Sequence, residues 1–230
     1  MRKRGYYRVL VAVESCFKDC HKHQAQRDTW GKDLCVTEKK FFLGGAGAGP
    51  FEDEIFLGID VDDSYDALSL KTQAICRWAL KHDFDFVFKC DTDTVINPET
   101  FVFSQFPEGH DYMGGFNEDY MPNSLYNDFP YNRIEFASGG AGYWLSRKAL
   151  TAIAEYDTIP SCAEDVFVAS VLKKNGILPV WNSGYRWKPG EKIDKDVVTL
   201  HLSSALQKKY EPSQMHEAYK QIKDLQYGLQ

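Results

Sequence analysis

The sequence lacks the features that mark several common functional classes. No apolar run is long enough to cross a bilayer, and the short apolar run at residues 9–13 has no small-residue cleavage site before Glu14, so we expect a core strand there and no signal peptide. Internal repeats and low-complexity tracts are absent. Basic residues are in the minority: the formal net charge is -6, so non-specific attraction to nucleic acid or to an anionic membrane is not expected.

Cysteines are few and irregularly spaced. They are Cys16, Cys20, Cys35, Cys76, Cys90 and Cys162. They form no CxxC pair and no zinc-binding pattern. Reduced thiols in a cytoplasm are the simplest interpretation, and an oxidising compartment is the alternative because the count is even.

The composition that remains is that of a globular domain. The chain has 230 residues, of which 43% are hydrophobic, 14% aromatic and 26% charged. Such a chain can bury a full core, and neither disorder nor a fibrous structure is expected. We therefore expect one soluble α/β domain.

Strand and helix patterns alternate along the chain. β-Branched and aromatic runs predict strands at residues 7–13, 38–44, 84–89 and 197–204. Helices are predicted around residues 23–30, from Asp63 or Ser64, from near Ser146, from a capping box at Ser161 and Glu164 to Gly176, and from about Ser213. This alternation predicts a Rossmann-like, mostly parallel central sheet flanked by helices.

Two segments interrupt these patterns. The stretch GGAGAGPFEDE is predicted to be a loop and not a dinucleotide-binding turn, because Pro50 stands where the last glycine of GxGxxG belongs. Residues 107–135 are rich in Gly, Pro, Asn and Tyr, which predicts a long irregular segment. Such a segment commonly lies over a site.

The stretch VFKCDTDTVINPE, residues 87–99, leads an apolar strand directly into two carboxylates. Asp91 and Asp93 would lie at the carboxyl end of the central strand, where ligands collect in open α/β sheets. Residues two apart point the same way, so both carboxylates can face one point, where they repel unless a cation binds. Oxygen ligands favour Mg²⁺ or Mn²⁺ with open positions for phosphates. The alternative is a pair of solvated turn aspartates.

Three functions are compatible with this motif. In haloacid-dehalogenase-type phosphatases, DTDTV would supply Asp91 as nucleophile and Asp93 as acid/base, but that motif normally follows the first strand. In nucleotide-sugar transferases of the GT-A type the DxD motif comes mid-chain, as it does here. A non-catalytic sugar- or nucleotide-binding module with a degenerate site is the third.

Six segments carry a more specific signal. They are QRDTWG (26–31), FFLG (41–44), DVDDSYDALSLKTQAICRWALKH (60–82), FDFVFKCDTDTVINPE (84–99), FASGGAGYWLSRKAL (136–150) and EDVFVASVLKKNGI (164–177). In this order they resemble the beta-1,3-galactosyltransferase and Fringe family. The resemblance implies a GT-A fold in a single catalytic domain, residues 1–230, with a nucleotide-binding half at about 1–99 and an acceptor half at about 100–230. It also implies inverting transfer of a hexose or N-acetylhexosamine from a UDP-sugar to an acceptor hydroxyl, with Mn²⁺ or Mg²⁺.

The resemblance assigns roles to particular residues. Asp165, the second acid of EDV, matches the catalytic base. The predicted metal-binding residues are Asp91, Asp93 and His201, with Asp93 as the direct ligand. The predicted donor-binding residues are Arg27 on the diphosphate, Asp63, Lys71 and Asp91 at the nucleotide, and Gly139 and Gly140 around the sugar.

Each role has a plainer alternative. The helix dipole would stabilise acids such as Glu164 and Asp165 in a first turn, and His201 could be a satisfied core histidine. Arg27 could be a surface cation. Trp144, Trp181 and Trp187 could all be core residues, or one of them could stack on an acceptor sugar.

The sequence departs from the family pattern in two ways, one in the metal-binding motif and one at the N-terminus. Thr92 replaces the middle acid of the usual DDD motif, which leaves DxD intact. The family's N-terminal anchor and stem are missing, so we expect a cytoplasmic enzyme of bacterial or viral origin, or a Golgi-lumenal one if an anchor has been removed. The expected partners are a UDP-sugar donor and a glycan, glycoprotein or other hydroxyl acceptor; the acidic charge disfavours a nucleic-acid acceptor.

Overall fold

Strands and helices alternate in the structure much as the sequence patterns predict. The computed structural model describes residues 7–58, 60–103, 109–117, 134–157, 159, 163–188, 190–203 and 210–228. The strands are β1 (Val9–Glu14), β2 (Glu38–Leu43), β3 (Glu54–Phe56), β4 (Phe86–Asp91), β5 (Thr94–Ile96), β6 (Tyr112–Gly114), β7 (Phe116–Asn117), β8 (Phe136–Ala137), β9 (Tyr143–Ser146), β10 (Val180–Trp181), β11 (Tyr185–Arg186) and β12 (Thr199–His201). The helices are α1 (Cys20–Gln26), α2 (Leu68–Lys81), α3 (Pro98–Phe103), α4 (Arg147–Ala154), α5 (Glu164–Lys174) and α6 (Pro212–Tyr227).

Three of the four predicted strands, β4, β1 and β2, are neighbours in the main sheet, and the fourth, β12, lies in a separate three-stranded sheet between β11 and β5. The order of the main sheet is β10-β6-β9-β4-β1-β2-β3. Neighbours pair in parallel except β9, which runs antiparallel to both β4 and β6. Parallel strands need cover on both faces, and β1 is buried along its whole length. The predicted α/β fold, with a mostly parallel sheet flanked by helices, is confirmed.

Alternating side chains of β1 divide the core into two layers. Val9 and Val13 face one layer, which α6 helps to cover. Leu10 and Ala12 face the other layer, which α2, α4 and α5 fill. Each buried aliphatic side chain of this kind contributes roughly 1.5–3 kcal/mol. The sheet is therefore a rigid base for side chains at its carboxyl edge.

The second helix begins later than its capping residues predict. α2 begins at Leu68 after a 3₁₀ turn, and Ser64 makes no side-chain cap. Asp63 instead accepts hydrogen bonds from the backbone N–H groups of Phe17, at 2.6 Å, and Gly44, at 2.8 Å. Backbone donors from distant parts of the chain thus bind the Asp63 carboxylate, which therefore does not cap α2.

Other predicted helix ends agree with the structure. Ser146 caps α4 by accepting a hydrogen bond from the N–H of Ala149 at 3.3 Å. Gly176 follows α5 with φ of 70°, the left-handed conformation that glycine favours. The N-cap of α5 is Ala163, and the predicted capping residue Ser161 lies outside the described residues.

The segment predicted to be irregular contains sheet structure, which corrects that prediction. Residues 112–114 form β6, and Tyr112 is fully buried. The aromatic residue of this part is therefore buried within the main sheet, because β6 lies between β9 and β10. Residues 104–108 and 118–133 lie outside the described residues.

Two compositional predictions can be compared with the structure. In the part of the chain described, no helix is both long and apolar enough to span a bilayer. The described cysteines, Cys16, Cys20, Cys35, Cys76 and Cys90, are free thiols. Cys162 lies outside the described residues.

Candidate active site

The turn after β4 holds both aspartates of the DxD motif in defined positions. The hydroxyl of Thr94 accepts a hydrogen bond from the N–H of Asp91 at 3.0 Å and donates one to the carbonyl of Gly140 at 2.8 Å. From α1, the amide of Gln26 donates to the carbonyls of Asp91 and Thr92, each at 3.1 Å. The turn is thereby tied both to α1 and to the glycine segment.

The two carboxylates bond to different partners and do not simply face one point. Oδ1 of Asp91 accepts a hydrogen bond from the ammonium of Lys89 at 2.8 Å. Oδ2 of Asp93 lies 3.3 Å from Nε2 of His201 and accepts a hydrogen bond from the hydroxyl of Ser203. The structure therefore brings Asp93 and His201 together and directs one oxygen of Asp91 into the protein.

The Asp93–His201 pair has the electrostatics of an ionised acid beside an imidazole. Burial alone would raise the pKa of Asp93, but the hydrogen bonds and charge of His201, with the hydroxyl of Ser203, hold that pKa below its ordinary value. Burial alone would lower the pKa of His201, and Asp93 raises it instead. Each group thus favours the charged form of the other.

The donor set fits a hard divalent ion. Oδ1 of Asp93 is buried and has no hydrogen-bond partner among the described residues. Nδ1 of His201 bonds to the carbonyl of Trp187 at 3.1 Å, which leaves Nε2 as the ligating nitrogen. Within the part of the chain described, no group of three or more His, Cys, Asp and Glu side chains is placed to hold a metal ion. Such a two-residue set leaves coordination positions for phosphate oxygens.

Two consecutive glycines connect this pair with a second acid. A Cβ on Gly140 would lie 2.6 Å from Nε2 of His201. A Cβ on Gly139 would lie 2.7 Å from Oε2 of Glu164, and the Gly139 N–H donates to Oδ2 of Asp165 at 3.4 Å. A side chain at either position would force one of these groups to move, which favours glycine at both.

Asp165 lies in the first turn of α5 and is partly buried. Burial and the charge of Glu164 raise the pKa of Asp165 to about 7, although the Gly139 N–H and the charge of Lys89 act in the opposite direction. A helix dipole alone would lower this pKa, so dipole stabilisation does not dominate at Asp165. A carboxylate with a pKa near neutrality suits the removal of a proton from a hydroxyl group.

Asp63 and Lys71 join the ends of three elements at the same edge of the sheet. The ammonium of Lys71 donates to Oδ1 of Asp63 at 2.9 Å and to the carbonyl of Ser15, just beyond β1, at 2.6 Å. Lys71 is fully buried, whereas Asp63 remains partly exposed. The pair therefore shapes the edge of the sheet, with Asp63 as its accessible member.

Comparison with known proteins identifies the family. The family model described as Galactosyltransferase matches residues 22–182. The chain belongs to the galactosyltransferase family. This match includes every predicted site residue except His201, which follows it in the chain. Family membership places the chain among the hexosyltransferases, and it favours glycosyl transfer over the phosphatase interpretation of DTDTV.

Curated relatives agree with this membership. Beta-1,3-galactosyltransferase 1 of Homo sapiens and of Mus musculus is 29% identical over 246 residues, which cover 92% of this chain and 72% of the relative. UDP-GalNAc:beta-1,3-N-acetylgalactosaminyltransferase 1 of Homo sapiens is 28% identical over 214 residues, which cover 74% of this chain and 62% of the relative. The resemblance inferred from the six sequence segments is confirmed.

Solved structures support the fold. A glycosyltransferase involved in the glycosylation of the major capsid of PBCV-1 has a TM-score of 0.53 and 11% identity, covering 93% of this chain and 99% of that chain. The galactosyltransferase LgtC, in complex with donor and acceptor sugar analogs, has a TM-score of 0.50 and 11% identity, covering 92% and 95%. This galactosyltransferase-family chain has the predicted GT-A fold.

Arg27 has partners that its predicted diphosphate role did not include. Its guanidinium donates to both carboxylate oxygens of Asp53, at 2.8 and 2.6 Å, and to Glu54 at 3.0 Å. It also lies over the rings of Phe41 and Phe51. Arg27 therefore joins the π turn after α1 to β3 and the segment before it, and its contact with a diphosphate stays a prediction.

A buried hydrogen-bond chain beside Arg27 was missed from the sequence. Nδ1 of His23 lies 2.9 Å from Oε1 of Glu54, and its Nε2 lies 2.6 Å from the hydroxyl of Ser15. Burial lowers the pKa of His23, so the ring is neutral; its Nδ1–H donates to Glu54 and Ser15 donates to Nε2. The chain links residues far apart in sequence, and no local pattern indicates it.

The three tryptophans considered as sugar-stacking candidates, Trp144, Trp181 and Trp187, differ in how far they are buried. Trp144 is fully buried and donates from its indole N–H to the hydroxyl of Tyr185 at 2.8 Å. Trp187 packs against the core and supplies the carbonyl that orients His201. Trp181 is 62% exposed, which makes it the member of the three with a face available to a sugar.

Proposed function

We propose that this galactosyltransferase-family enzyme is metal-dependent and inverting, and that it moves a hexose or N-acetylhexosamine from a UDP-sugar to an acceptor hydroxyl, forming a β-linkage. The observation that carries the proposal is the contact made by two adjacent glycines. Gly139 lies against the turn that bears Asp165, and Gly140 lies against His201. A base and a metal-binding pair so close together can act on the two sides of one sugar.

Asp93 and His201 are the residues proposed to hold Mn²⁺ or Mg²⁺. The unpartnered Oδ1 of Asp93 and the orientation of His201 by Trp187 support this assignment. Asp91 would direct its second oxygen toward the ion and the nucleotide, because Lys89 binds its first. When bound, the ion would neutralise the negative charge that develops on the UDP leaving group.

Asp165 is proposed to accept the proton of the acceptor hydroxyl. The hydroxyl oxygen then bonds to the anomeric carbon on the face opposite UDP, while the bond from this carbon to the diphosphate oxygen breaks and its electron pair leaves with UDP. One displacement inverts the centre, so an α-linked donor yields a β-linkage. A pKa of about 7 leaves Asp165 substantially ionised at neutral pH.

The nucleotide is proposed to lie along the edge that Asp63 and Lys71 build at the ends of β1 and β2. Arg27 would support the same edge through Asp53 and Glu54. Ligands of open α/β sheets collect at this carboxyl edge, which supports the placement.

The names of the relatives guide the proposal for substrates. One relative is named for galactose and the other for N-acetylgalactosamine, and both for β-1,3 linkages. UDP-galactose and UDP-N-acetylgalactosamine are therefore the first donors to test, and a glycan or glycoprotein is the expected acceptor. Trp181 is proposed to stack on the acceptor sugar.

A single catalytic domain at residues 1–230 is part of this proposal. Pairings across the expected boundary near residue 100 support it, since β4 pairs with β9 and β5 pairs with β12. The nucleotide-binding half at about 1–99 and the acceptor half at about 100–230 would then share the main sheet through β4 and β9, and a three-stranded sheet through β5 and β12.

The test is a panel of UDP-sugars with Mn²⁺ or EDTA, in which released UDP and the anomeric configuration of the product are measured. Metal-dependent UDP release with a β-linked product is expected. Hydrolysis of a simple phosphate monoester with Mg²⁺ and no requirement for UDP would support the phosphatase alternative. UDP binding without turnover of any donor would support a non-catalytic module.

A further inference from the structure

A lysine inside the central strand holds three carboxylates at once. The ammonium of Lys89 lies 2.8 Å from Oε2 of Glu14, 2.8 Å from Oδ1 of Asp91 and 3.0 Å from Oε2 of Glu164. Its side chain is only 2% exposed. The three acids come from β1, the end of β4 and the first turn of α5, so one cation joins the strand that carries DxD to the helix that carries Asp165.

The acids of this cluster have further fixed contacts. The hydroxyl of Tyr143 donates to Glu164, and the hydroxyl of Thr72 lies 3.3 Å from Oε1 of Glu14. The Cβ position of Gly139 is 3.4 Å from the ammonium of Lys89. The backbone that contacts Asp165 therefore lies directly on the cluster.

Stability alone does not explain this arrangement. Neighbouring positions in β4 are apolar and buried, and apolar side chains at position 89 and at its acidic partners would fill this region without desolvating an ammonium and several carboxylates. One buried cation needs only one carboxylate partner, yet three meet here. The excess of acids over cations is costly in a buried region, which points to a role in placing the groups at its edge.

We propose that Lys89 is a positioning residue for sugar transfer, which sets the separation between Asp91 on the donor side and the Glu164–Asp165 turn that carries the base. This inference rests on the proposed function. Lys89 itself touches neither donor nor acceptor in this scheme. It acts by holding Glu164, whose place in the first turn of α5 determines where Asp165 and Gly139 meet.

The test compares Lys89→Met with the isosteric variant Glu164→Gln. Initial rates of UDP release from UDP-galactose with Mn²⁺ are measured from acidic to alkaline pH. We expect kcat of Lys89→Met to fall by about 10²-fold, the order of effect of a misplaced catalytic group, with little change in KM for the donor.

The pH profile separates positioning from a general loss of structure. The charge of Lys89 lowers the pKa of Asp165 and that of Glu164 raises it. The acidic limb of kcat/KM should therefore move to higher pH in Lys89→Met and to lower pH in Glu164→Gln. Glu164→Gln keeps the shape of the side chain, so the second shift can be measured even if Lys89→Met fails to fold.

Lys39→Met is the matched control. Lys39 also has a partly buried ammonium, which donates to the carbonyls of Gly31 and Leu34, and it contacts none of the proposed site residues in these bonds. The Lys39→Met variant should be less stable than the wild type but should keep its kcat and the position of its acidic kcat/KM limb.

The outcomes distinguish the inference from the proposed function. Unchanged kcat in Lys89→Met, or an unmoved limb or a shift to higher pH in Glu164→Gln, would overturn the positioning role while wild-type transfer stands. Absence of transfer by the wild type would instead overturn the proposed function, and the inference with it.

Discussion

Nε2 of His201 lies 3.3 Å from Oδ2 of Asp93, although the two residues come from opposite halves of the chain. The pairing of β12 with β5 brings them together, since His201 is opposite Thr94 in an antiparallel register. A late strand thereby adds an imidazole to the DxD turn. This relationship is the basis for expecting a metal-dependent nucleotide site.

Asp93→Asn should lose the stabilisation that UDP and Mn²⁺ together give the wild type. A ligand at about 100 times its Kd that binds only the folded state adds about 2.7 kcal/mol, or roughly 5–10 °C in Tm for a chain of this size. Thermal unfolding with UDP and Mn²⁺, and then with EDTA, measures the effect. Asp224→Asn, on α6, is the control and should respond like the wild type. An equal Tm shift in Asp93→Asn would contradict the metal assignment.

Gly140→Ala and Gly139→Ala should have different effects. A Cβ on Gly140 would displace His201, so UDP–Mn²⁺ binding should weaken. A Cβ on Gly139 would press on Glu164 beside the base, so turnover should fall while UDP–Mn²⁺ binding persists. Titration calorimetry and initial rates on both variants check this, and identical losses in the two would argue against separate roles.

Asp165→Asn should lower kcat by about 10²–10⁴-fold, the usual contribution of a general base, while UDP–Mn²⁺ binding stays nearly unchanged. In the wild type, burial raises the pKa of Asp165 to about 7. A base acts in its deprotonated form, so activity should rise as pH increases through about 7. Loss of UDP binding in Asp165→Asn would remove support for the base role.

Arg27→Lys tests the contact with Asp53 against the diphosphate role. Lysine cannot make the two-point contact with Asp53, so the free energy of unfolding should fall by about 1–3 kcal/mol. We expect Asp53→Asn to destabilise the chain similarly without altering KM for the donor, and an unaltered KM in Arg27→Lys as well would assign Arg27 to the Asp53 contact alone. A rise in KM confined to Arg27→Lys would favour the diphosphate contact predicted from sequence.

Local sequence patterns were sufficient to predict the layered α/β fold, the central strand that ends at Asp91 and the family. These features are local: the apolar runs that form β1 and β4, the cap at Ser146 and the terminating Gly176 act through neighbouring residues, and periodicity reports them directly. The family resemblance likewise assigned roles to Asp93, Asp165 and, beyond the six segments, His201, and these roles stay predictions.

The partner of each candidate residue, in contrast, depends on how distant segments pack together. Asp63 is bound by the N–H groups of Phe17 and Gly44 instead of capping α2, and Arg27 is bound by Asp53. These outcomes depend on strand order and on contacts between distant segments, which sequence spacing does not encode. Lys89 did leave a sequence signal, as a charge inside an apolar strand, but its three carboxylates meet only because β1, β4 and α5 converge at one edge of the sheet.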